Sequence, residues 1–214
     1  MVLAGCSGSD KTVQNEPNAA PAAKPVAEAK EDSGPAIVTF GDSLTAGYGA
    51  EPGASYPDFL QKELDRHRLK WRVINQGVSG DTTTDGLNRV GDVIAAKPRI
   101  VILEFGGNDG LRGLPLETTR ANLDAIFGQL KGAGIQVVLA GMTLPPNYGP
   151  EYIKPFEKIY VDLADKYKIP RIRFLLQGVG GHAELMQKDG LHPTAEGNEI
   201  VARNVYNSLQ PLLR

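Results

Sequence analysis

Ile100-Val101-Ile102-Leu103-Glu104-Phe105 is the run that decides the fold. Apolar side chains occupy both alternating faces of it, so a strand built here must be covered on two sides, as in a parallel sheet between helical layers. Shorter apolar runs predict further strands at residues 36–40, 72–75, 136–140 and 170–174. Between them the spacing turns helical. Tyr56, Phe59, Leu60 and Leu64 share one face behind Ser55 and Asp58, a capping-box pair, with Pro57 in the first turn. Leu123, Ile126, Phe127 and Leu130 repeat at i, i+3, i+4, i+7, and Gly132 and Gly134 offer the stop. Phe156, Ile159, Tyr160 and Leu163 repeat in the same way, and a final helix from about Ala195 turns Val201, Val205 and Leu209 inward. This alternation predicts an α/β domain, a three-layer α/β/α sandwich around a five-stranded parallel sheet. Ligands of such open sheets gather outside the carboxyl ends of the strands.

The 214 residues suffice for one domain with a substantial core. The net charge is -2, and no stripe of Lys and Arg is interleaved with aromatics, so a nucleic-acid partner is not expected. No stretch approaches the ~20 apolar residues of a spanning helix. The single cysteine, Cys6, excludes an intrachain disulfide and a cysteine-rich metal site, and three scattered histidines do not suggest zinc. No metal, cofactor or protein partner is called for.

Leu3-Ala4-Gly5-Cys6 resembles the lipobox of bacterial lipoproteins, in which the cysteine is diacylated. Residues 7–35 are rich in Ala, Pro, Glu and Lys, with almost no large apolar side chains, and cannot bury enough surface to offset their ordering entropy. Residues 1–35 are therefore expected to be a lipobox remnant and a disordered tether, and 36–214 the folded domain. A lipidated Cys6 would hold that domain at a membrane in the periplasm of a Gram-negative bacterium. The alternative is a plain N-terminus with a stray cysteine.

Four polar segments follow expected strands or precede the last helix: Gly41-Asp42-Ser43-Leu44-Thr45, Gly77-Val78-Ser79-Gly80-Asp81-Thr82, Gly106-Gly107-Asn108-Asp109 and Asp189-Gly190-Leu191-His192-Pro193. A parallel sheet brings all four to one edge. Each is ordinary alone, since Ser43 reads as a helix cap, Gly80, Asn108 and Asp189 as turn formers, and His192 as a helix-start residue. Together and in this order they resemble the conserved blocks of the SGNH (GDSL) hydrolases, closest to the bacterial thioesterase/arylesterase/lysophospholipase group. The likeness runs over roughly residues 36–213 and extends to Gly110-Leu111-Arg112-Gly113 and Leu144-Pro145-Pro146-Asn147-Tyr148-Gly149.

The resemblance implies a flavodoxin-like SGNH fold and an acyl ester or thioester as substrate. It makes Ser43 the nucleophile, which needs a base to accept its proton. His192 is that base, and Asp189, three residues earlier, is placed to orient the ring. His67, in a charged helix end, is expected to face solvent, and His182 has no carboxylate in a comparable position. By the same resemblance Gly80 and Asn108, with the Ser43 N–H, form the oxyanion hole. Asp42, Asp81 and Asp109 are expected to cap helices or order loops. Residues 110–115 look like a mobile flap, and Gly107, Leu111, Leu144 and Pro145 are candidate substrate contacts.

Three other readings stand beside this one. The substrate could be an acetylated carbohydrate. The domain could be a non-catalytic surface lipoprotein with the same fold. It could also bind a nucleotide or phosphate, but no Gly-x-Gly-x-x-Gly follows the first strand and no Gly-Lys-Ser/Thr loop occurs.

Overall fold

The computed structural model describes residues 1–2 and 34–213. Cys6 and nearly all of the expected tether lie outside the described residues.

Five parallel strands form one sheet in the order β2-β1-β3-β4-β5: β1 (Ala36–Gly41), β2 (Arg72–Gly77), β3 (Ile100–Glu104), β4 (Gln136–Ala140) and β5 (Arg171–Ile172). The central strands β1 and β3 are buried along their whole length, as their two-sided apolar pattern demands. Around the sheet run α1 (Ser43–Ala46), α2 (Tyr56–Arg66), α3 (Thr83–Ala95), α4 (Gly107–Leu111), α5 (Leu116–Gly132), α6 (Pro150–Tyr167) and α7 (Ala195–Leu209). Helices α2 and α7 pack together on one face, and α3 and α5, with α6 beside α5, cover the other. No described helix is long and apolar enough to cross a membrane.

The Ser55–Asp58 box closes at the start of α2, with Ser55 N–H donating to Asp58 at 3.0 Å. One expectation needs correction here. The strand predicted at 170–174 shrinks to Arg171–Ile172, because the chain leaves the sheet edge at Arg173 and Leu175 N–H bonds Gly141 O instead. His67 is exposed, as its charged helix end suggests, and its ring stacks on Tyr206 with centroids 4.8 Å apart.

The strand order reverses direction at β1, which has β2 on one side and β3 on the other. The chain therefore leaves β1 and β3 on opposite sides of a crevice at their carboxyl ends, the switch point where open α/β sheets bind ligands. Ser43 follows β1 and Asn108 follows β3.

Candidate active site

Ser43 owes its position to its neighbours. At Gly41 any Cβ would lie 2.2 Å from Thr45 Oγ1 and 2.3 Å from Glu104 Oε2, so only glycine lets the chain turn there. Asp42 then accepts the Leu44 N–H at 3.1 Å and starts the single turn of α1. Ser43, first in that turn, presents its Oγ to His192 Nε2 at 2.8 Å.

The loop before α7 delivers the other partners. Asp189 Oδ1 accepts the N–H groups of Leu191 at 2.9 Å and His192 at 3.1 Å, which folds the loop back on its own carboxylate. The other oxygen, Oδ2, meets His192 Nδ1 at 2.6 Å. Partial burial works against ionisation of Asp189, but the hydrogen bonds from the His192 ring and the two N–H groups outweigh it and hold the carboxyl at about 2. Gln187 laces the loop from below: its N–H donates to His192 O at 2.7 Å, and Nε2 donates to Pro193 O and to Tyr48 O. The Tyr48 ring leans on the His192 ring with centroids 4.6 Å apart. Neither Gln187 nor Tyr48 carries a sequence signal that would have marked it.

The two expected oxyanion residues also converge. Gly80 has φ +88°, a left-handed value that glycine adopts freely. Asn108 Nδ2 donates to Asp81 O at 2.9 Å and to Asp42 Oδ2 at 3.2 Å, so one amide bridges the turn carrying Ser43 and the loop carrying Gly80. Asp42 and Asp109 order the backbone as expected, Asp109 by accepting the Thr83 N–H at 2.9 Å. Asp81 ties its loop down through an ion pair with Arg89 at 2.6 Å, and Arg89 also donates to Gly41 O and Gln76 O. His182 sits apart, near Glu184 at 3.6 Å with both side chains exposed.

A cleft of about 630 Å³ opens beside Ser43 and His192. All four candidate contacts, Gly107, Leu111, Leu144 and Pro145, line it, and the deeper wall adds Met142, Ile153, Phe174 and Leu176. The 110–115 segment is not the free flap its glycines suggest. α4 continues through Gly110 and Leu111, whose carbonyls accept the hydroxyls of Tyr152 at 3.4 Å and Tyr148 at 2.8 Å. Among the described residues no cluster of three or more His, Cys, Asp or Glu is placed to hold a metal.

Next to the Ser43 turn, Asp42 and Glu104 form a pair of buried acids, a pairing that neither residue's sequence context signals. Glu104, at the end of β3, is fully buried, accepts Asp42 N–H at 3.0 Å and Thr45 Oγ1–H at 2.9 Å, and leaves Oε1 without a partner. Burial, then the nearby charge of Asp42, pushes the Glu104 carboxyl well above its ordinary range. Burial likewise raises Asp42 to about 6, against the bond from Leu44 N–H that lowers it. A shared proton removes one of two adjacent buried charges.

The sign of the consequence follows. Both carboxyls bind protons more tightly folded than unfolded, so their contribution is complete below about pH 4 and is lost as pH climbs through 6. The melting temperature should therefore fall between pH 4.5 and 7.5. In Glu104→Gln that slope should flatten. Parallel slopes for the two proteins, read by thermal melts across this range, would place the pH dependence elsewhere.

Residues 39–200 match the model of the GDSL-like Lipase/Acylhydrolase family. The chain belongs to that family. Esterase TesA of Pseudomonas aeruginosa is 39% identical to it over 178 residues, 83% of this chain and 89% of that protein. Thioesterase 1/protease 1/lysophospholipase L1 of Escherichia coli K12 is 36% identical over 178 residues, 83% of this chain and 84% of its own length. A crystal structure of TesA matches the fold with a TM-score of 0.80 at 38% identity, covering 83% of this chain and 99% of that one. As a GDSL acylhydrolase with the SGNH fold, the protein is a hydrolase of ester bonds.

Proposed function

We propose that the protein is a serine esterase that hydrolyses acyl esters or thioesters through a covalent Ser43 acyl-enzyme. One observation carries this reading: Asp189, His192 and Ser43 form an unbroken chain of hydrogen bonds, 2.6 and 2.8 Å, that ends at the mouth of an apolar cleft.

Ser43 Oγ attacks the ester carbonyl while His192 Nε2 takes its proton. Asp189 stabilises the imidazolium that forms and fixes which ring nitrogen carries hydrogen beforehand. The negative oxygen of the tetrahedral intermediate takes hydrogen bonds from the Ser43 and Gly80 N–H groups and from Asn108 Nδ2. Of the two bonds Asn108 makes at rest, the 3.2 Å contact to Asp42 is the longer and the easier to exchange for an oxyanion. The intermediate collapses as His192 gives its proton to the departing alcohol or thiol. Water, deprotonated by the same ring, then releases the acid and restores Ser43.

The wall residues favour an acyl chain in the cleft. Leu111, Leu144, Ile153 and Leu176 give an acyl chain apolar surface along its length, whereas an acetyl group would leave most of 630 Å³ unfilled and a sugar would bury hydroxyls against hydrocarbon. A fluorophosphonate probe should label the protein, and mass spectrometry of the digest should find the adduct on the peptide containing Ser43. Among p-nitrophenyl esters kcat/KM should rise from acetate through longer chains, and acetylated xylan should be a poor substrate. An unlabelled, folded protein would overturn the esterase reading. A preference for acetylated xylan would replace the acyl-chain substrate.

A further inference from the structure

The oxyanion loop is closed by its own turn, Asp81 N–H donating to Val78 O at 3.2 Å, and is held from outside in three directions, one of them on the protein surface. Arg89 grips the Asp81 side chain, and Asn108 grips the Asp81 carbonyl. Among the described residues the Gly80 carbonyl accepts a hydrogen bond from Arg112 alone, whose Nη2 donates to it at 2.9 Å. Arg112 is exposed, makes no ion pair among the described residues, and is the residue at which α4 ends. It directly follows Leu111, which lines the cleft, and lies four residues past Asn108, to whose carbonyl its own N–H is bonded at 3.1 Å.

We propose that Arg112 is a positioning residue for the oxyanion hole: it holds the Gly80–Asp81 peptide through the Gly80 carbonyl, limits the rotation of Gly80, whose donor N–H lies in the preceding peptide, and ties the turn to the helix that bears Asn108. The inference rests on the esterase reading for its kinetic consequence, but not for its structural one. Gly80 at φ +88° has no side chain to fix its peptide planes, and Ser79 and Val78 beside it are exposed. The turn bond from Asp81 N–H to Val78 O, at 3.2 Å, fixes neither φ nor ψ of Gly80 by itself, and an N–H that must point at a developing charge loses effect with each orientation left open. A guanidinium on the following carbonyl selects one orientation before substrate arrives. Its charge, close to the donor peptide, also favours negative charge there. A surface arginine with a single hydrogen bond has little to contribute to global stability, which separates this role from a structural one.

The test compares wild type with Arg112→Met, which keeps the apolar stem, and Arg112→Lys, which keeps a charged donor. Hydrogen exchange should quicken in the peptide spanning residues 78–82 of Arg112→Met, with the rest of the domain and the melting temperature unchanged. On a p-nitrophenyl ester kcat should fall about 10-fold, less than the ~10²–10³ for deleting a donor outright, while KM stays within about twofold. Arg112→Lys should recover part of both. Unchanged exchange in 78–82 would overturn the inference whether or not the protein is an esterase. Loosened exchange with wild-type kcat, in an active wild type, would remove Arg112 from catalysis. An inactive wild type with loosened exchange in Arg112→Met would leave the positioning intact and overturn the esterase reading.

Discussion

Replacing Ser43 by alanine should lower kcat for a p-nitrophenyl ester on the order of 10⁶-fold, with KM little changed. The size follows from what the hydroxyl does. In the proposed mechanism its oxygen makes the bond to the acyl carbon; without it His192 would have no proton to accept from the enzyme and could only activate water in a site shaped for an enzyme-bound nucleophile. The remaining Gly80 and Asn108 donors and the cleft still bind and polarise the ester, which is why activity should stay ~10³–10⁴ above the uncatalysed reaction. The fold should not suffer. Ser43 Oγ serves no backbone group, and the α1 turn is started by Asp42 and Leu44 instead. Steady-state kinetics with a melting curve decides the matter. A Ser43→Ala protein that retains turnover within about 100-fold would move the nucleophile to another residue.

Why so much of this site is legible in the sequence can be stated residue by residue. Parallel strands all point the same way, so whatever follows each strand collects at one edge, and four polar segments in one-dimensional order become neighbours without further information. Gly41 and Gly80 show as glycines because packing or φ allows nothing else. Asp189 and His192 are three residues apart, so one loop sets their geometry. Illegible parts depend on contacts distant in sequence. Met142, Ile153, Phe174 and Leu176 wall the cleft, but come from the ends of β4 and β5 and from α6, where apolar residues are indistinguishable from core. Glu104 sits inside the very run that reads as a buried strand, and its partners Asp42 and Thr45 are about 60 residues away. α3 is hard to read from the sequence although Thr82 and Asp85 make a full capping box, because Thr83 and Gly86 dilute its buried face. Gly86 is there for Phe105, whose ring would lie 2.9 Å from any Cβ. The 110–115 segment misleads for the opposite reason: its glycines signal freedom, and the restraints on it are tyrosine hydroxyls and Arg112 reaching other chain segments.

Asp189→Asn should cost about 10⁴-fold in kcat while leaving the backbone in place. The geometry fixes how. Oδ1 of Asp189 accepts two backbone N–H groups, from Leu191 and His192, and only an oxygen can do so. In the asparagine variant the amide oxygen therefore keeps that position, and the NH₂ replaces Oδ2 opposite His192 Nδ1. An NH₂ donates where the carboxylate accepted, so Nδ1 must become an acceptor and the ring hydrogen moves to Nε2. There it points at Ser43 Oγ, and the nitrogen that should take the serine proton already holds one. The loss thus comes from the wrong tautomer rather than from a displaced ring, with the missing negative charge no longer stabilising the imidazolium. Because the native carboxyl is held at about 2, wild-type Asp189 stays ionised throughout the neutral and mildly acidic range, and no pH in that range reproduces the variant. Fluorophosphonate labelling of Asp189→Asn should slow in step with kcat, since phosphonylation of Ser43 needs the same proton transfer. If Asp189→Asn instead keeps kcat within about 10-fold of wild type, the carboxylate only shapes the loop and His192 works without it.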